Sequence, residues 1–282
     1  MKILVTGVKG QLGYEVVKCL EERQIDCIGV DKEEFDITDL AAVRSYFEQN
    51  QPTALVHCAA YTAVDKAEDE PEICRKVNAE GVRNLAIVCK EMDIKMLYIS
   101  TDYVFPGTGE NFYEVDDVTG PLSQYGKTKL EGEEAVKELL EKYFIVRISW
   151  VFGKNGANFV KTMLRLGKER EELTVVADQI GSPTYTKDLA PLLCDMIVSE
   201  KYGIYHATNE GTCSWAEFAK EIFCQAELNV KVNEVTTEEY GISKAARPKN
   251  SRMSKESLTK AGFSRLPDWK DALGRYLEEL NA

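Results

Sequence analysis

Histidine is almost missing from this chain: His57 and His206 are the only two in 282 residues. Both fall inside apolar, strand-like runs, so a histidine-rich metal site or a serine triad has little to build on, and both read as core or near-core residues. C-x-x-C pairs are absent as well, although cysteines stand at 19, 27, 58, 74, 89, 194, 213 and 224. Without paired spacing, and with most of them inside apolar periodic segments, they read as reduced, mostly buried thiols. No apolar run reaches the roughly 18 residues that a membrane-spanning helix needs, and Met1 leads straight into a strand pattern without the charged start, apolar middle and cleavage site of a leader. These absences point to a soluble, cytoplasmic chain. An excess of positive charge is lacking too. With a net charge of -12 the surface repels nucleic acid and anionic membrane, and neither is expected as a partner.

What is present is a rhythm. The chain is 44% hydrophobic, enough for one large core or two unequal ones. "KILVTG" reads as a buried strand and Leu12 to Arg23 as a helix; "DCIGVD" is a second strand, and "DITDLAAVRSYFEQN" a helix capped by Thr38 or Asp39. "TALVHCAA" is a third strand, followed by a long helix around Pro71 to Met92; "KMLYIST" is a fourth, a helix covers about Tyr125 to Tyr143, and "YFIVRISWVFG", residues 143 to 153, is a fifth. Strand and helix alternating in this way predict an α/β, Rossmann-like, doubly wound parallel sheet over residues 1–153. Beyond residue 153 the rhythm loosens. Helices near Asn158 to Lys168, Lys187 to Ser199 and Trp215, strands "LTVVAD" and "GIYHAT", and a closing helix from Pro267 suit a smaller mixed substrate-binding lobe over 154–282, some of whose segments return to the first domain. No internal repeat or low-complexity linker interrupts the chain.

Chemistry enters through two patterns. "VTGVKGQLG" places Gly7, Gly10 and Gly13 at the turn from the first strand into its helix. There the backbone N–H groups and the helix dipole favour a pyrophosphate. Asp31, at the end of the second strand, stands where a ribose-binding acid is expected, and Asp36 and Ile37 follow where an adenine could be held. The second pattern is Tyr125 and Lys129, four residues apart on one face of a helix, with Thr101 at the carboxyl end of the fourth strand. An ammonium at roughly 4.5 Å in an effective dielectric of 20 offers about 3.7 kcal/mol, nearly three pKa units, so Lys129 is expected to ease proton release from the Tyr125 phenol. Thr101 could give a reacting carbonyl oxygen a second hydrogen bond.

The glycine spacing together with Thr101, Tyr125 and Lys129 is similar to the extended short-chain dehydrogenase/reductases, which use a Ser/Thr–Tyr–Lys set and a nicotinamide cofactor. Within that group, "AAYTAVDKAEDEP", "STDYVFPGTG", "PLSQYGKTKLEGE", "RISWVFG", "NFVKTMLRL", "DQIGSPT" and "ARPKNSRM" resemble the dTDP-4-dehydrorhamnose reductase family, from the first strand to the final "PDWKDAL" helix. The resemblance implies reduction of the C4 ketone of dTDP-4-dehydro-L-rhamnose to dTDP-L-rhamnose by hydride from NAD(P)H. It implies that Gln11, Leu12, Ala59, Ala60, Tyr61 and Asn78 join the glycines, the two aspartates and Ile37 around the cofactor. Tyr125 would protonate the developing alkoxide, Lys129 would hold the ribose, and Thr101 would orient the carbonyl. Asp102, Tyr103 and Trp150 match family positions around the sugar, and Asn158, Lys161, Arg165, Arg247 and Arg252 are candidates for the diphosphate.

Two rival readings remain. One is another nucleotide-sugar epimerase or dehydratase. A dehydratase needs an acid and a base side by side after its threonine, and here Asp102 is followed by Tyr103, a poor base. The other is a non-catalytic NADP-binding regulatory subunit, such as the one known for methionine adenosyltransferase, which the intact Thr101, Tyr125 and Lys129 disfavour. Asp31 should bond a ribose 2′-hydroxyl and repel a 2′-phosphate, whereas Lys9 and Lys32 could offset that repulsion, so NADPH is expected to serve somewhat better than NADH with both accepted. Some members of the family are magnesium-linked dimers joined through acidic residues. Glu15 is present here, but Lys187 lies where a second acid is expected, and the expectation is a metal-independent protein, a monomer with a homodimer as the alternative.

Overall fold

The computed structural model describes residues 1–241 and 243–281. Its spine is a six-stranded sheet, every neighbouring pair parallel, in the order β10-β5-β4-β3-β1-β2. The strands are β1 (Ile3–Thr6), β2 (Cys27–Val30), β3 (Ala54–His57), β4 (Lys95–Thr101), β5 (Tyr143–Ile148) and β10 (Gly203–His206). Between them run α1 (Gln11–Glu22), α2 (Leu40–Asn50), α3 (Val64–Asp69), α4 (Pro71–Arg75), α5 (Val82–Glu91) and α6 (Gln124–Leu139). The strands are continuous apolar runs because both faces are covered. Ile3, Val5, Val56, Leu97 and Val146 pack beneath α1, whereas Leu4, Leu55, Met96, Tyr98 and Ile145 pack with residues of α2, α5 and α6. After β2 the chain crosses back over β1 to lay down β3, and the reversal opens a crevice at the carboxyl ends of β1 and β3.

The other elements are β6 (Val151–Phe152), α7 (Phe159–Glu169), β7 (Glu172–Val176), β8 (Ile180–Gly181), β9 (Thr184–Tyr185), α8 (Thr186–Val198), β11 (Cys213–Ser214), α9 (Trp215–Gln225), β12 (Lys231–Val235), α10 (Thr237–Tyr240), α11 (Glu256–Ala261) and α12 (Trp269–Asn281). A second core gathers Phe152, Val160, Tyr185, Phe218, Phe223, Trp269 and Tyr276. The helix α8 packs against the first layer with α1, and β10 adds itself in parallel beside β5, so residues 186–206 belong to the sheet although they follow the first pieces of the smaller lobe.

Several short elements have no counterpart in the sequence expectation, and two differences bear on strands of the two lobes. The run 143–153 is not one strand: it breaks after Ile148, and Val151 and Phe152 form a separate strand paired with β9. The break is Trp150, whose backbone turns left-handed at φ 50°. The other is "KVNEV", which the sequence reading leaves unassigned and which forms β12, parallel to β7. The eight cysteines are free thiols, four of them buried and Cys224 exposed. Among the described residues no helix is long and apolar enough to cross a membrane.

Candidate active site

The glycines shape a tight cradle. Gly7 leaves β1 with φ +73°, and a Cβ there would lie 2.7 Å from the Ala59 nitrogen; one on Gly13 would lie 2.4 Å from the Gly7 carbonyl oxygen. Gly10 caps α1 without any side-chain hydrogen bond, and no acidic residue occupies the first turn. The leading N–H groups of α1 therefore lack internal partners and present positive potential. They open into a cavity of about 720 Å³ lined by the cradle with Gln11 and Leu12, by Asp31, Ala59 and Ala60, and farther in by Thr101, Asp102, Tyr103, Tyr125, Lys129 and Trp150. A second cavity of about 580 Å³ adjoins it, lined by Asp31, Phe35, Asp36, Ile37, Ala59 and Ala60. A helix start with unpartnered N–H groups, an acid beside it and a second cavity beyond have the chemistry that the pyrophosphate, ribose and base of a dinucleotide require.

Buried polar contacts hold this floor. Thr6 Oγ1 lies 2.7 Å from His57 Nδ1 and accepts from the Ala59 N–H at 3.3 Å, tying β1 to the loop after β3. Burial pushes His57 and His206 down to about 3, so both are neutral framework groups. Asn78 sits in a π-helical turn, Lys76–Gly81, and is buried; its side chain accepts from Tyr61 N–H and donates to Tyr61 O. Asn78 thus pins the loop beside the cradle, and neither it nor Tyr61 is among the residues that line the two cavities.

Tyr125 and Lys129 stand on the inner face of α6, which Ser123 caps by accepting from the Gly126 N–H. A Cβ on Gly126 would lie 2.3 Å from Tyr103 O, so the helix is pressed onto the turn that follows β4, and the rings of Tyr103 and Tyr125 meet edge to face at 5.5 Å. Lys129 Nζ donates to Ile99 O at 2.7 Å and lies 4.2 Å above the Tyr98 ring. One helical turn on, Glu133 accepts from Ser100 and forms a two-pronged bond with Arg147, all three buried. The simple Coulomb expectation for the Tyr–Lys pair does not survive burial. Desolvation raises the Tyr125 phenol well above its ordinary value, against a hydrogen bond with Thr101, and pushes Lys129 down to about 7 despite nearby Glu133. The ammonium is engaged by Ile99 rather than by the phenol.

Asp102 is buried beside them. It accepts from Thr101 Oγ1 at 3.0 Å and from Ser251 Oγ at 2.5 Å, and burial outweighs these bonds to push it up to about 6. Ser251 brings "NSR", from the segment after α10, directly onto the site. The motif stands out in the sequence, but nothing short of this contact across the chain singles out Ser251 within it. The far wall is aromatic: Trp150 stacks on Trp215 with centroids 3.7 Å apart, and Phe159 and Phe218 continue it. Trp215 opens α9 behind a capping box of Ser214 and Glu217, a signal for a helix start but not for a site.

The five diphosphate candidates do not line the cavity. Asn158 caps α7 and donates to Gln11, Gly153 O and Tyr276, so it is a joint between layers. Lys161 bonds the carbonyls of Lys154 and Gly156, Arg165 pairs with Glu169 one turn on, and Arg252 bonds Asn250. On so acidic a chain, surface bases find carboxylates or carbonyls first. Arg247 comes nearest, donating to Tyr103 Oη at 3.2 Å, but Asp65 neutralises it at 2.7 Å. Among the described residues no group of three or more His, Cys, Asp or Glu stands together to hold a metal, and Lys187 reaches Glu279 at 3.6 Å.

Comparison with known proteins matches this arrangement to one family. A family model described as "RmlD substrate binding domain" covers residues 1–282. The spore coat polysaccharide biosynthesis protein SpsK of Bacillus subtilis is 42% identical over 99% of this chain and 97% of its own length. The dTDP-4-dehydrorhamnose reductase of Aggregatibacter actinomycetemcomitans is 42% identical over 96% of this chain and 97% of its own. The crystal structure of dTDP-4-dehydrorhamnose reductase from Bacillus anthracis, in complex with NADP, superposes with a TM-score of 0.95 at 46% identity, covering 99% of both chains. With similarity running along its whole length, the chain belongs to the dTDP-4-dehydrorhamnose reductase family.

Proposed function

We infer that this protein reduces the C4 ketone of dTDP-4-dehydro-L-rhamnose to dTDP-L-rhamnose with NADPH, NADH also serving, as a step of nucleotide-sugar biosynthesis in the cytoplasm. The observation that carries the reading is the convergence of Thr101, Tyr125 and Lys129 in one cavity with the glycine cradle of α1. The cofactor, when bound, supplies the hydride. The chain does the rest. The helix start at Gly10 binds the pyrophosphate, Asp31 the adenosine ribose, and Lys129 the ribose next to the nicotinamide. A phenol whose pKa is raised by burial keeps its proton at neutral pH, so Tyr125 is a loaded acid at the carbonyl oxygen. An alkoxide developing at C4 is more basic still, and the proton moves to it as the hydride arrives. Thr101, whose single hydroxyl proton goes to Asp102 in the free protein, turns to the carbonyl oxygen to donate the second hydrogen bond and hold that oxygen in place. Asp102 and Tyr103 face the sugar hydroxyls, Trp150 covers the ring, and Arg247 is the base nearest to the diphosphate. We read the protein as a metal-independent monomer.

The test is oxidation of NADPH in the presence of the keto sugar, followed by loss of the reduced nicotinamide's absorbance. Tyr125→Phe should lower turnover by roughly 10²-fold or more while nucleotide binding persists. Equal rates in the variant and the parent would overturn the mechanism, and no turnover by the parent would favour a binding subunit.

A further inference from the structure

Behind Tyr125 and Lys129 lies a buried ion pair that the reductase reading leaves without a task. Tyr125, Lys129 and Glu133 stand at successive four-residue steps along α6, so their side chains form one stripe facing the sheet. Tyr125 and Lys129 line the larger cavity, whereas Glu133 lines neither cavity and is fully buried. Its Oε1 accepts from Ser100 Oγ at 2.5 Å and from Arg147 Nε at 2.9 Å, and its Oε2 accepts from Arg147 Nη2 at 2.7 Å. Ser100 and Arg147 stand opposite each other in the parallel pairing of β4 with β5. One carboxylate therefore ties the helix that bears Tyr125 and Lys129 to the residue immediately before Thr101. Arg147 extends the tie: its Nη1 donates to Val115 O at 3.1 Å and lies 3.5 Å from His206 Nε2.

The rest of the contact between α6 and the sheet is close but undirected. A Cβ on Gly132 would lie 2.5 Å from Tyr98 Oη and 2.6 Å from Asn78 O, so the helix is pressed down there as it is at Gly126. A glycine brings no side chain to stop a slide along the strand, and apolar contacts have no preferred direction. A two-pronged, charge-assisted bond has both a length and a direction. Misplacing reacting groups by about 1 Å can cost about 100-fold in rate, so the slide of α6 along β4 matters to the chemistry. We propose that Glu133 is a positioning residue for the reduction: through Ser100 and Arg147 it sets the register of α6 on β4 and β5, and so holds Tyr125 and Thr101 at one spacing about the carbonyl oxygen. The proposal rests on the reductase reading.

Steady-state reduction of the keto sugar, with NADPH and with NADPH deuterated at the transferred hydrogen, tests it. Ser100→Ala cuts one tether and leaves the ion pair whole. Its kcat should fall about fivefold, with KM for the sugar and nucleotide affinity held within about twofold, and the isotope effect on kcat should rise as transfer slows relative to product release. Removing one charge strands the other in the interior, so the stronger variant removes both: Glu133→Met with Arg147→Met keeps the volume, and chemical unfolding should find it about as stable as the parent. Its kcat should fall about 30-fold with the same small change in KM. An ion pair that serves stability alone gives parental kcat and a parental isotope effect in both variants, and that result would overturn the proposal, as would a loss carried by KM or by nucleotide affinity. If the double variant does not fold, Ser100→Ala decides by itself. A parent that does not reduce the keto sugar would overturn the proposal and the reductase reading together, whereas an active parent with equally active variants would remove the proposal alone.

Discussion

The two walls of the cavity are built on opposite plans. The cradle wall is built on backbone and drawn from short pieces of sequence: Gly7 to Gly13 follow directly on β1, and the two side chains set deeper in the same cavity, Tyr125 and Lys129, share one helix. The far wall is made of side chains from distant pieces, with Trp150 on Trp215, Ser251 on Asp102 and Arg247 on Tyr103. A backbone wall tolerates no added atom, because the space a Cβ would need is already occupied. A side-chain wall tolerates change in proportion to the contact removed, and it is where a family can vary its substrate without disturbing its cofactor.

Gly13→Ala should show the largest effect. Its Cβ would fall 2.4 Å from a carbonyl oxygen of the cradle, so the loop must shift or the helix start must move. We expect a loss of nucleotide affinity of about 100-fold and a destabilisation of roughly 2 kcal/mol, read by nucleotide binding and by chemical unfolding. Trp215→Ala acts on the other wall. Trp150 holds its left-handed backbone against Trp215 and over Gly181, where a Cβ would lie 2.9 Å from the indole. Removing the stack should raise KM for the sugar roughly tenfold, the scale of one buried aromatic contact, with kcat and nucleotide affinity moved much less. If nucleotide affinity fell equally, the separation between the walls would be wrong.

The smallest effect is one of pH. Lys129 is pushed down to about 7 from 10.5, so the folded protein binds fewer protons than the unfolded chain between those values, and this residue makes the unliganded protein more stable as pH rises through that window. Its charge is lost in the same window. kcat/KM, which reports the free enzyme, should therefore decline as pH climbs past about 7. Glu133→Gln, which removes the carboxylate that favours the ammonium, should move the decline to lower pH. A profile that does not respond would remove Lys129 as its cause.

The same contrast explains what was legible in the sequence. Continuous apolar strands, helix periodicity and the four-residue interval from Tyr125 to Lys129 are local, so the parallel sheet and the cradle could be read from them. The break at Trp150 could not, because an apolar run looks the same whether it continues or turns, and the turn is held by Trp215 and by the Gly181 segment. Chemistry alone did not choose among the diphosphate candidates: Asn158, Lys161, Arg165 and Arg252 have the right groups, and each has a neighbour that only the folded chain supplies. Burial likewise reversed the sense of the Tyr–Lys pair, since spacing gives proximity but not the cost of leaving water.

The late arrival of β10 at the sheet has a consequence for how the chain is made. Until Gly203–His206 emerges from the ribosome, β5 is an edge strand, and its unpaired backbone and buried-type side chains stand open to any other nascent chain. The strand that closes this edge is short, and it follows α8, which packs on α1. Synthesis of this protein thus passes through a stage in which the nucleotide cradle is complete in sequence and the sheet that carries it is still adhesive.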